Sequence, residues 1–154
     1  LYFLLKFVLL FSLTIESRES AVYAIITYPV VARFCSVVSC ASSPYARGSG
    51  MGKTFVDNTK TCGFIVATVI TLLYTVGMLF VLFTNYSLPI QFIMKSILAI
   101  VIIIGLLGLF AYAFSKLIER KIGGITGDTL GALLEISSLV YIFLLLVIPT
   151  FFMG

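Results

Sequence analysis

Two acids and a cluster of glycines near the end of the sequence carry the clearest chemical signal. In Gly123-Gly124-Ile125-Thr126-Gly127-Asp128-Thr129-Leu130-Gly131-Ala132-Leu133-Leu134-Glu135, a polar turn leads directly into an apolar run. Thr126 or Asp128 is suited to cap the unpaired amides of a first helical turn, and the glycines before it give the backbone freedom to turn. Gly124, Asp128, Gly131, Glu135 and Ser138 fall at offsets of four, seven, eleven and fourteen, which is one helical stripe, small and acidic. Gly127 and Gly131 also form a GxxxG pair, suited to close helix approach. Asp128 and Glu135, seven apart, share a face at about 10 Å along the axis. That is too far to hold one ion unaided, and a ligand or divalent-metal role is the sharper expectation for the stripe. A structural reading competes, in which Asp128 only caps and Glu135 pairs with a base such as Arg33.

The bases that could answer an anion lie elsewhere in the chain. Ser43-Pro44-Tyr45-Ala46-Arg47-Gly48-Ser49-Gly50-Met51-Gly52-Lys53-Thr54 ends like a Walker A element, but Arg47 stands where that motif requires its first glycine, and no strand precedes it. A weaker expectation survives: glycine amides beside Arg47 and Lys53 could cradle a phosphate. The competing reading is a plain flexible loop. Arg33 interrupts an apolar run four residues after Pro29, and an arginine within a span is costly unless it faces a polar cavity or an acid. Lys116 and Arg120 share an i, i+4 face that would also suit a phosphate, although such a run is more often a helix end among headgroups.

The elements that must position these groups are membrane spans. Of 154 residues, 61% are apolar and 10% charged, and mean hydropathy is +1.21. A soluble globular domain is nearer half apolar and a quarter charged. A net charge of +4 on so apolar a chain fits neither a nucleic-acid binder nor a disordered tail. Histidine and tryptophan are absent, so chemistry needing an imidazole is excluded and Asp, Glu, Lys, Arg, Ser and Thr are left. Cys35, Cys40 and Cys62 have no metal or redox spacing and read as buried thiols.

A spanning helix needs about 20 apolar residues, and apolar runs without alternation exclude strands. Five segments are expected to span, at 1–15, 21–41, 63–83, 90–114 and 132–152, in an all-α integral membrane protein. The first opens on Leu1 inside an apolar run, with neither the basic leader nor the cleavage site of a signal peptide, and reads as a cut-off span. The expectation is one polytopic domain over 1–154, the C-terminal fragment of a longer chain. Residues 84–89 form a short turn, whereas 42–62 and 115–131 are long loops holding Arg47, Lys53, Lys60, Lys116, Arg120 and Lys121. By the positive-inside rule these loops are cytoplasmic, in a multi-pass cell-membrane protein whose working face is the inner one.

At this point the motifs resemble a family. GGITGDTLGALLE is similar to the glycine and acid signature of cobalamin synthases, the adenosylcobinamide-GDP ribazoletransferases. Arg33 followed by PYARGSGMGKTF at 44–55 resembles the segment upstream of it, in the same order, and the resemblance covers most of 20–150. It implies a membrane transferase of cobalamin biosynthesis, residing in the bacterial inner membrane, that uses Mg²⁺. In that reaction α-ribazole, or its phosphate, attacks adenosylcobinamide-GDP and releases GMP. Asp128 and Glu135 then match acidic positions, as metal or hydroxyl-orienting groups, while Arg33, Arg47 and Lys53 match bases for the pyrophosphate, with Thr126 and Gly127 beside them. The family's other acidic motif, with its Asp-Gly pair, is missing from these residues, so this polypeptide by itself is expected to be incomplete. A small transporter and a non-catalytic membrane subunit are the alternatives; the first would place broken helices at the bilayer midplane, and the second would tolerate loss of both acids. Oligomeric state is open.

Overall fold

In the computed structural model of the chain, residues 1–47, 50–59, 61–86 and 90–148 are described. Lys60, the centre of the expected 84–89 turn and the end of the last expected span lie outside the described residues. All six elements are helices: α1 (Tyr2–Glu16), α2 (Arg18–Ser42), α3 (Met51–Asn58), α4 (Thr61–Tyr86), α5 (Ile90–Ile122) and α6 (Gly127–Val147). Four of them, α2, α4, α5 and α6, are long and apolar enough to cross a bilayer. With 15 residues, α1 measures about 22 Å, short of the roughly 30 Å hydrocarbon core, so the expected first span falls below the required length within these residues.

The other boundaries shift for physical reasons. The span expected at 90–114 runs on to Ile122 without a break, so Lys116, Glu119, Arg120 and Lys121 belong to the helix and not to a loop. Two basic residues in the last turn, Arg120 and Lys121, complement the negative end of the helix dipole. Gly123, at φ +82°, then ends the helix, its N–H donating to Glu119 O at 2.8 Å. The connection expected over 115–131 therefore shrinks to residues 123–126. Within the other long connection sits α3, eight residues that no apolar run announced.

At the centre, α2 packs against α1, α4, α5 and α6. Lipid has no hydrophobic preference between its own tails and a leucine, so packing and buried hydrogen bonds must hold such a bundle together. A polar knot supplies them in the half remote from the basic loops. Thr27 donates to Tyr23 O at 2.6 Å, so its single proton is used and the 2.8 Å contact with Tyr141 OH is donated by the tyrosine. Tyr23 OH in turn donates to Thr75 O at 3.1 Å, joining α2, α4 and α6. Nearer the loops, Ser39 and Ser115 hydroxyls lie 2.6 Å apart between α2 and α5, and Gly108 of α5 faces the Phe34 ring, which a Cβ there would approach to 3.7 Å. Outward-facing Leu73, Leu98, Leu106 and Phe143 are exposed, as a lipid-facing surface requires. Cys35 and Cys40 are buried as expected; Cys62, at the start of α4, is exposed instead, because that helix turns it to the outside.

Candidate functional site

The basic end of the bundle is where the predicted groups gather. Thr126 caps α6: its hydroxyl accepts from Thr129 N–H at 3.3 Å, and the Thr129 hydroxyl accepts from Thr126 N–H at 2.8 Å. This is a capping box with threonine in place of the usual Glu or Gln. Thr126 is buried and both its polar groups serve the cap, so it builds the helix start and does not face outward. Asp128 is thereby freed of the capping role that the sequence allowed it. It is exposed in the first turn of α6, with no hydrogen bond or ion pair among the described residues, next to the Gly127 N–H, also unpartnered there.

Glu135 is exposed two turns deeper in the same helix, and the stripe predicted from the sequence holds over Asp128, Gly131 and Glu135. It fails at both ends. Gly124 lies before the helix, and Ser138 is buried, donating to Glu135 O at 2.8 Å and touching Tyr2 OH at 2.9 Å. The GxxxG pair makes no close approach: a Cβ on Gly127 or Gly131 would meet nothing within 4 Å.

Arg33 is exposed on α2 and forms no ion pair among the described residues, so the proposed Arg33–Glu135 pairing is not made. The two are nevertheless at one depth. α2 and α6 run antiparallel, with Thr27 on Tyr141 at one level and Cys40 beside Ile125 and Leu130 at the other. Six residues separate Thr27 from Arg33 and six separate Tyr141 from Glu135, so both charges sit about 9 Å from the polar knot. Each is also deep in its span, because about nine residues of α2 separate Arg33 from Ser42, some 14 Å. Sequence reasoning passed over Lys6. Its Nζ donates to Tyr2 OH at 2.7 Å and lies 3.8 Å from the centroid of the Tyr28 ring, which extends the Ser138–Tyr2 contact into a polar chain along α1. A lone lysine in the run LYFLLKFVLLF was the available signal.

Tyr45, two residues before Arg47, packs against the start of α3, which carries Lys53. Its ring lies against Gly50 and Gly52, where a Cβ would come within 2.5 and 2.8 Å of it. Close approach of the ring thus accounts for these two glycines, a role distinct from the phosphate cradle expected of them. Arg47 is exposed and Lys53 half-buried. Lys116, a candidate phosphate partner by its spacing with Arg120, is engaged otherwise: Nζ donates to Ser42 O at 2.7 Å and to Glu119 Oε2 at 2.8 Å, and Ser43 donates to the same carboxylate oxygen at 2.7 Å. That network ties the end of α2 to α5. A separate groove of about 660 Å³ between α2, α4 and α5 is lined by Phe34, Leu72, Ile104 and Leu109 among others, and offers a pyrophosphate almost no polar group.

No group of three or more metal-ligating His, Cys, Asp or Glu side chains occurs among the described residues. Asp128 still suits Mg²⁺, which commonly takes one or two protein carboxylates and completes its shell with substrate phosphates and water.

An all-helical membrane bundle that presents free carboxylates and an arginine-bearing loop at one end defines a class of intramembrane protein with a polar working surface. The family model described as cobalamin-5-phosphate synthase matches residues 1–146, and the chain belongs to that family. It is 87% identical to an adenosylcobinamide-GDP ribazoletransferase of Fusobacterium nucleatum, over the whole of this chain and 56% of that protein. Proteins with the same description from Clostridium acetobutylicum and Desulfitobacterium hafniense are 37% and 30% identical, over 79% and 92% of this chain and 42% and 50% of their own lengths. The chain thus spans about half the length of the curated relatives it matches. No solved structure matches it.

Proposed function

We propose that this chain forms part of a membrane-bound transferase that joins α-ribazole, or its phosphate, to adenosylcobinamide-GDP with release of GMP. The family match over residues 1–146 carries the proposal, and the free carboxylate at the start of α6 beside the Arg47 loop supports it. A hydroxyl of the riboside attacks the phosphorus attached to the corrinoid; a new P–O bond forms there, and the bond to GMP breaks with its electron pair leaving on GMP. Such a transfer depends on alignment and on neutralising charge spread over phosphoryl oxygens. Arg47 and Lys53 supply cationic donors for the pyrophosphate, with Arg33 below them, and the Gly127 N–H adds a neutral donor at the helix start. Asp128 orients the attacking hydroxyl and accepts its proton, or holds Mg²⁺; Glu135 serves as a second carboxylate about 10 Å deeper. Asp128 would hold Mg²⁺, which would supply positive charge to offset that of the pyrophosphate.

The test is complementation of a ribazoletransferase-deficient bacterium growing on cobinamide, using the full open reading frame that encodes this chain. Restored growth is expected; failure of a protein that inserts normally would remove the proposal and bring forward the transporter or scaffold readings.

We further propose that the basic end faces the cytoplasm, in the cell membrane, because Arg47, Lys53, Lys116, Arg120 and Lys121 all lie there. A cysteine in place of Arg47 or Lys121 is expected to resist a membrane-impermeant thiol reagent in intact cells and to react in inverted vesicles. Labelling in intact cells would reverse the orientation.

A further inference from the structure

Two connections far apart in sequence are locked together directly beside the candidate site. Ile125 N–H donates to Pro44 O at 2.9 Å, and Ala46 N–H donates to Ile125 O at 2.9 Å, an isolated parallel bridge between Tyr45 and Ile125. Gly124 makes this approach possible. A Cβ at that position would lie 2.5 Å from Pro44 O and 2.8 Å from Ala46 N, both backbone atoms that cannot swing aside. Beneath the bridge, Ile125 is 1% exposed and packs with Cys40 and Val56, with Tyr45, Ile118 and Leu130 around them. The clasp therefore joins the end of α2, α3, the end of α5 and the start of α6 through one small apolar core separate from that of the bundle. Arg47 directly follows Ala46, and Asp128 comes three residues after Ile125.

We propose that Gly124 is a positioning residue: by permitting the clasp it fixes Arg47 relative to Asp128, so that one phosphorylated substrate meets a cation and a carboxylate already in register. This rests on the function proposed above. Neither residue needs the clasp to exist, since Arg47 sits on a glycine-rich loop and Asp128 on a helix that Thr126 caps independently. What the clasp supplies is their relative placement, and a displacement of about 1 Å at a reacting centre costs on the order of 100-fold in rate.

The experiment is a double-mutant cycle on the full-length protein in lipid nanodiscs, with Gly124→Ala, Arg47→Ala and the pair, following kcat and KM for the nucleotide-bearing substrate. Gly124→Ala is expected to lower kcat/KM by about 10- to 100-fold, chiefly through kcat, and to have little further effect once Arg47 is gone. Should Gly124→Ala fail to insert, Ala46→Pro replaces it, deleting the donated N–H and setting the ring Cδ against Ile125 O, which opens the clasp from the other connection. Losses that multiply in the pair, or a folded Gly124→Ala protein with unchanged kinetics, would show the clasp to be structural only. If Arg47→Ala itself has no effect, the clasp has no cation to position and the proposal falls; the transferase reading fails separately, if the unaltered full-length protein shows no such activity.

Discussion

Asp128→Ala should reduce transferase activity of the full-length protein by about 10²- to 10⁴-fold, the range for losing a positioned acid or base, while leaving insertion and stability nearly intact. The separation of the two effects follows from the start of α6. An aspartate that capped the helix would cost about 1 kcal/mol of stability when removed, but the cap belongs to Thr126 and Thr129, and Asp128 is exposed without a partner among the described residues. Its structural contribution is confined to the helix dipole, a few tenths of a kcal/mol at an exposed site. Thr126→Ala should behave in the opposite way, losing about 1 kcal/mol and with it some fraction of ordered helix start. Activity assays paired with thermal unfolding in detergent would decide the matter. Equal loss of stability in both variants would return Asp128 to a structural role.

The largest effect on stability is expected at the polar knot. Tyr141→Ala removes a ring that is 1% exposed and leaves a cavity where α2, α4 and α6 meet, at a cost of about 3–5 kcal/mol. Tyr141→Phe keeps the ring and loses the hydroxyl's contacts with Thr27 and Tyr23. Interhelical bonds of this kind contribute about 0.6 kcal/mol, and up to about 1.7, so the phenylalanine variant should fold. Reversible unfolding in mixed micelles gives both values. A phenylalanine variant as unstable as the alanine one would mean that the hydroxyl network, and not the packed ring, holds the three helices together.

Spans were legible because an apolar run has one stable solution in lipid, and the four long helices fall where hydropathy put them. Their ends were less so. Charge at 116–121 looked like a loop, but a helix keeps its hydrogen bonds satisfied among headgroups as well as in hydrocarbon, and Gly123 with its positive φ was the true stop signal. The acidic stripe was visible from 3.6-residue periodicity, whereas choosing between Thr126 and Asp128 as the cap required seeing which oxygen met the Thr129 amide. Gly50 and Gly52 were noticed for the freedom they give a backbone; that they lie under the Tyr45 ring, five and seven residues earlier in the chain, depends on side-chain placement that no spacing encodes. The level match of Arg33 with Glu135 likewise depends on the register of two helices about a hundred residues apart in sequence.

The length of α5 also sets a height. Its uncharged portion, Ser96 to Ser115, is about 30 Å long and matches the hydrocarbon thickness, so the seven residues from Lys116 to Ile122 extend about 10 Å further. The headgroup layer on that side is only some 5–7 Å deep. On that length alone, the Tyr45–Ile125 bridge beside the end of α5 stands above the hydrocarbon. Under the proposed function, a bulky nucleotide-bearing substrate would dock there from water, and only the group to be transferred would reach down toward Glu135.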